Sequence, residues 1–220
     1  MYNPETASRI VQDIKAFPTT AIAFNQYVSY TPAAEGSDAP LKRSQNLERY
    51  IRAMASIKGR DLWLFEAPSR RGAVRTGIPQ TSVDLLKTRA KQLGIDEGFE
   101  AIRFYKAEKA ESSDTSRRVA GFFDRMDTKP LIWNAVMIHT RTPDGENRTP
   151  QLTELRDHQL ILRAICDLCE PSRLFACGRT AQKTVGLLGV KHECVAHPVA
   201  RRSPSFKASM SRIYSDPDLS

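Results

Sequence analysis

Short, unbroken apolar runs alternate along this chain with segments whose apolar residues recur every three or four positions. The runs at 62–67, 102–105, 131–138, 173–177 and 193–196 read as strands, each flanked by Gly, Pro, Ser or charged residues. Most are apolar throughout rather than at every second position, as parallel strands covered on both faces require. Between them Leu47, Tyr50, Ile51, Met54 and Ile57 recur at helical spacing, and so do Val83, Leu86, Ala90 and Leu93. Val119, Phe122, Phe123 and Met126 repeat the pattern after Asp114, a candidate N-cap, while Thr149 and Pro150 supply cap and first-turn proline for a helix over 152–169. Polar loops are expected at 31–40, 108–116 and 140–150, and no internal repeat interrupts the order. This alternation predicts an α/β fold with a mainly parallel sheet. The length suits one domain over 1–220, with 1–60 as its helical N-terminal part and 61–220 as the core that carries the motifs.

Composition narrows the picture. With 40% hydrophobic and 26% charged residues, the chain has enough apolar surface to offset ordering it. No apolar run approaches the ~20 residues of a membrane span, and the opening MYNPETASRI lacks a basic region followed by an apolar stretch, so a cytoplasmic protein without membrane contact is expected. A net charge of +8 makes a polyanion the leading partner, and nucleic acid above all. Charge alone also suits a merely soluble surface, so placement matters more. Arg70, Arg71 and Arg75 follow the first apolar run, and Arg201, Arg202 and Lys207 follow His197. Phosphate contact is the natural reading of both clusters, and solvated surface charge is the alternative for any one of them.

The stretch 61–81, DLWLFEAPSRRGAVRTGIPQT, runs from an apolar strand straight into a Pro- and Gly-containing loop. Sites in open α/β sheets lie at such carboxyl ends of strands. Two further runs end in polar residues, LIWNAV at Asn134 and ECVAHPVARR at His197, so three strand ends can converge. Taken singly, Glu66 can be a loop cap, Asn134 a turn former and His197 a neighbour of a structural proline.

In this order, EAP at 66–68, TGIP at 76–79, Asn134 and the His197-Pro198 pair resemble the motifs of the uracil-DNA glycosylase superfamily, from Asp61 to the C-terminus. The resemblance implies a three-layer αβα sandwich around a four-stranded parallel sheet, and a DNA glycosylase that hydrolyses the N-glycosidic bond of a flipped-out base. Such a reaction develops positive charge on the sugar and negative charge on the departing base. Glu66 and His197 are the catalytic candidates for those two charges. Asn134, Gln80, Gly77 and His139 are the base-binding candidates, the Asn134 amide being able to donate and accept at a pyrimidine edge.

Departures from the family pattern bear on the substrate. Ser69 stands where many relatives have glycine, and Ala67 where other branches have a water-positioning Asp or Asn, so a carboxylate task falls to Glu66. Gln80 stands where relatives with a TGIPFT segment have a phenylalanine that stacks on the base. An amide in that place suits a larger, more polar pyrimidine, and bacterial antiviral glycosylases acting on hypermodified phage cytosine fit this pattern. Repair of uracil or another deaminated base is the alternative activity, and a silent DNA-binding relative the alternative from another class.

Cys166 and Cys169 fall on the helical face of Leu152, Leu155 and Leu162, and Cys177 and Cys194 lie inside expected strands, so four reduced core thiols are expected rather than an iron–sulfur cluster. No metal, cofactor or obligate protein partner is inferred. His158 and His192 lack ligand-like spacing, and the Asn147-Arg148-Thr149 sequon reads as loop and helix cap.

Overall fold

The computed structural model describes residues 4–105, 112–198 and 205–214. In chain order it contains α1 (Pro4–Lys15), β1 (Ala23–Phe24), α2 (Ala39–Ala55), β2 (Leu62–Phe65), α3 (Ala73–Thr76), a 3-10 turn (Val83–Leu85) and α4 (Leu86–Leu93). Then follow α5 (Asp114–Arg125), β3 (Leu131–Asn134), β4 (His139–Thr140), α6 (Leu152–Asp157), α7 (Gln159–Cys169), β5 (Leu174–Cys177), α8 (Arg179–Leu188), β6 (Glu193–Val195) and α9 (Phe206–Tyr214). Four of the strands form one parallel sheet in the order β3-β2-β5-β6.

Strand alternation divides the apolar runs between two faces. Leu62, Leu64, Leu131, Trp133, Leu174 and Ala176 pack with Ile10 and Ile14 of α1, Leu47 and Ile51 of α2, Ile165 of α7 and Val185 of α8. Trp63, Phe65, Ile132, Phe175, Cys177 and Val195 pack on the opposite face with Val119 and Phe123 of α5 and with Phe206 and Met210 of α9. This is a three-layer αβα sandwich, and it explains why the strands read as unbroken apolar runs. The N-terminal helices belong to the same core as the sheet.

Polar anchors hold the layers in register. The Tyr50 hydroxyl accepts from the Ile132 N–H at 3.0 Å and donates to its carbonyl at 2.8 Å, which satisfies the outer edge of β3. Trp63 Nε1 donates to the Tyr214 hydroxyl at 2.9 Å, and that hydroxyl donates to Asp61 at 2.7 Å, tying α9 to the entry of β2. Arg173 closes the same cluster with an ion pair to Asp61 at 2.6 Å.

Several local expectations are corrected. Residues 102–105 form no strand; only an isolated bridge joins Phe104 to Glu35, because this run has no sheet neighbour and its alternate residues are exposed. The run 131–138 leaves the sheet after Asn134, where Ala135 and Val136 donate to the carbonyls of Phe65 and Glu66 at 2.8 and 3.1 Å. The antiparallel pair β1–β4 has two residues per strand, too few to show a period. The helix expected over 152–169 breaks at His158 and is capped by Gln151, whose N–H donates to Glu154 at 2.6 Å. The cap of α5 is Ser113, whose hydroxyl accepts from the Ser116 N–H, with Asp114 inside the first turn. No described helix is long and apolar enough to cross a membrane.

Candidate functional site

The chain leaves β2 at Phe65 and passes at once into Glu66, while β6 ends at Val195, two residues before His197. Both exits lie at the carboxyl ends of parallel strands. Glu66, Gln80 and His197 there line one cavity of about 280 Å³, walled also by Pro68, Ser69 and Thr140. That is close to the lower bound for small-ligand sites, about 300 Å³.

Glu66 and His197 are each held by the segment that follows β5, and Gln80 by its backbone turn. Thr180, in the first turn of α8, donates to Glu66 Oε2 at 2.7 Å. One such bond fixes the carboxylate without exhausting its accepting capacity. The His197 ring stands edge-on to Phe65, with centroids 6.5 Å apart. Gly178 backs it: a Cβ there would lie 3.2 Å from His197 Cβ and 3.3 Å from Cδ2, and its φ of +93° already favours glycine. Burial pushes the His197 pKa down, so the imidazole is neutral at neutral pH.

Gln80 has a φ of +48°, a left-handed conformation that a residue with a Cβ adopts at a cost of roughly 1–3 kcal/mol. Buried Arg89 holds the turn in place: its Nε donates to Thr81 Oγ1 at 3.3 Å, its Nη2 reaches the Gln80 carbonyl at 3.5 Å, and its guanidinium lies 4.1 Å over the Phe123 ring. Burial pushes the Arg89 pKa down to about 10, which leaves it charged.

The other base-binding candidates lie outside this lining. Asn134 ends β3 beside Phe65 and is 1% exposed, with no hydrogen-bond partner for Nδ2 or Oδ1 among the described residues. Gly77 is a backbone requirement: its φ is +79°, a Cβ there would lie 2.5 Å from the Arg43 carbonyl, and its own carbonyl accepts from the Tyr27 hydroxyl at 2.8 Å. His139 packs behind the 66–69 loop with Nδ1 2.8 Å from the Pro68 carbonyl, and it faces a second cavity.

The basic candidates divide similarly. Arg70 is half-exposed, pairs with Glu146, and takes the Asn147 side chain on its backbone N–H at 2.9 Å. Arg71 and Lys207 are exposed, and the Arg75 guanidinium lies 4.6 Å over the Phe104 ring. Arg201 and Arg202 lie outside the described residues. Sequence reasoning missed Gly178, Thr180 and Arg89. The first two follow β5 directly, a strand end that carries no acid, amide or histidine to attract notice.

Cys169 and Cys177 are buried and Cys166 is half-buried; burial pushes the Cys166 and Cys169 thiols up to about 11 and about 12. Cys194 departs from the expected core position. It is exposed because β6 is an edge strand with its first two residues uncovered. Among the described residues, no group of three or more His, Cys, Asp or Glu side chains is placed to hold a metal ion.

No protein-family model matches the chain, and no curated protein sequence matches it either. Among solved structures, it is similar to the crystal structure of wild-type Pedobacter heparinus SMUG2, with a TM-score of 0.56 and 15% identity over 97% of this chain and 95% of that one. At this identity the likeness establishes the fold.

Proposed function

We propose that this protein is a DNA glycosylase that hydrolyses the bond between a flipped-out base and its sugar. The observation that carries the reading is the meeting of Glu66, Gln80 and His197, from three separate segments, around one cavity at the strand carboxyl ends. The likeness to SMUG2, a uracil-DNA glycosylase family member, supports it, as do the order of the EAP, TGIP and His-Pro motifs and the net charge of +8.

In this reading Glu66 holds a water near the anomeric carbon and stabilises the positive charge developing on the sugar. The water supplies hydroxyl to that carbon, the glycosidic electron pair leaves with the base, and the water's proton ends on the base. Neutral His197 donates a hydrogen bond to the base as its negative charge builds, a role that needs no ionised imidazole. Gln80 contributes an amide that donates and accepts, so the finer proposal is a modified, polar pyrimidine. Defence against phage carrying hypermodified cytosine, within the cytoplasm, is the setting such a substrate implies.

The test is to treat DNA bearing uracil, hydroxymethylcytosine or glucosylated hydroxymethylcytosine with the protein and score alkali-labile breaks. Breaks at one of these bases are expected. Tight DNA binding with no abasic sites from any of them would establish the silent DNA-binding module instead. Gln80→Phe is expected to lower modified-base excision relative to uracil excision by about tenfold or more, since stacking returns as space and hydrogen bonding are lost. An unchanged ratio would place Gln80 outside base recognition.

A further inference from the structure

A second cavity, of about 230 Å³, shares a wall with the first. In the two-residue strand β4, His139 lines the second cavity and Thr140 the first, as alternation along a strand dictates. In the loop after β2, Pro68 and Ser69 line the first and Arg70 the second.

The lining is basic. Arg43, Arg70, Arg75 and Arg141 contribute to it, against two carboxylates, Glu35 and Asp144. Glu35 is already committed to Arg43 in a buried ion pair. Arg43 is 0% exposed, yet its Nε–H has no acceptor among the described residues, and the buried Nε–H of Arg141 has none either. A donor left buried without an acceptor is costly, and more so when it is charged. Two of them in one basic cavity mark a place for an acceptor-rich anion.

His139 adds a third group. It is 3% exposed, and since a carbonyl can only accept, the contact with Pro68 puts the proton on Nδ1 and leaves Nε2 without a partner. Burial holds the ring neutral; Arg141 and Arg70 oppose its charging, and the Pro68 and Gly145 carbonyls favour it. Arg43, Arg75, Glu35 and Asp144 also face the cavity. An anion among these groups would favour the charged ring, with a solvent proton on Nε2, which would then be a donor.

We propose that this cavity binds a phosphate group and, resting on the glycosylase reading, that it takes the DNA backbone phosphate beside the excised nucleotide. Phosphate offers several oxygens to converging donors, and arginine matches that geometry. Base and phosphate are then held on opposite sides of one wall formed by residues 139–140 and 68–70.

The experiment titrates inorganic phosphate into the protein at neutral pH and follows the ring nitrogens of His139 by NMR. A saturable shift of Nε2 towards its protonated position is expected, with affinity at least about tenfold weaker in Arg141→Gln, as for loss of a charged hydrogen-bond donor. Asp144→Asn, which removes opposing charge at an exposed position, is expected to tighten binding severalfold. Absence of a saturable shift in the wild type, or equal affinity in all three proteins, overturns the phosphate site. A single-stranded oligonucleotide added to the phosphate complex separates the sources. Displacement supports the backbone phosphate, and retention of phosphate on DNA-saturated protein overturns that assignment in favour of a free phosphate. Because the titration needs no excision, its failure is distinct from failure of the glycosylase reading.

Discussion

Glu66→Gln is expected to lower base excision by about two to three orders of magnitude while leaving DNA affinity within a few fold of the wild type. The substitution keeps the shape of the side chain, and the amide oxygen can still accept the Thr180 hydroxyl that holds Glu66 Oε2 at 2.7 Å. The negative charge is removed, and one accepting oxygen becomes a donating NH2 group. A group that stabilises charge only in the transition state affects the chemical step and not ground-state binding, and such a group is typically worth about a hundred- to a thousandfold. Single-turnover excision with protein in excess, alongside direct measurement of DNA affinity, separates the two quantities. Excision within about threefold of wild type would remove Glu66 from the reaction. A parallel loss of affinity and rate would make it a binding residue instead.

Asn134→Leu is expected to stabilise the protein and to abolish most of its activity. Asn134 is 1% exposed, and neither amide atom has a hydrogen-bond partner among the described residues. Each unsatisfied buried group costs about 1–3 kcal/mol, and a leucine of similar size in this apolar layer relieves that cost. A gain of about 1 kcal/mol corresponds to roughly 2–4 °C in melting temperature for a chain of this size. In the proposed reading the Asn134 amide would meet its partners only when a bound base reaches the end of β3, and excision is then expected to fall by about a hundredfold. A protein that melts lower than wild type would mean that the amide is satisfied as it stands. Unchanged excision in a more stable variant would show that Asn134 does not read the base.

The two variants probe residues that differ in legibility. Glu66 was visible because an apolar run ends in it and a Pro-containing loop follows, a pattern that marks a strand exit in an open sheet. His197 was visible through the same logic at β6. Their meeting in one cavity depends on the order β3-β2-β5-β6, which places the β2 and β6 ends on either side of β5 at the same edge of the sheet. Gln80 was singled out for its chemistry, and the structure adds that its backbone is left-handed and its turn held by Arg89. No local pattern announces that arrangement. In the sequence, Arg89 is one cation among many.

The sequence by itself determined an α/β fold with a mainly parallel sheet, because strands buried on both faces must be apolar at consecutive positions, and Leu62 to Phe65, Leu131 to Trp133 and Leu174 to Cys177 all are. It also determined which strand ends carry an acid, an amide and a histidine. Tertiary structure alone decided what each of them faces. It buried Asn134 without partners, turned His139 away from the first cavity into a second one lined by four arginines, and reduced Gly77 to a backbone requirement against Arg43. It also left Cys194 in solvent on an uncovered edge and gave 102–105 no strand to pair with. The physical reason is common to these cases. Periodicity reports whether a position is covered, a property of the local chain, whereas partners and cavities arise between segments far apart in sequence, whose approach is fixed only when the layers pack.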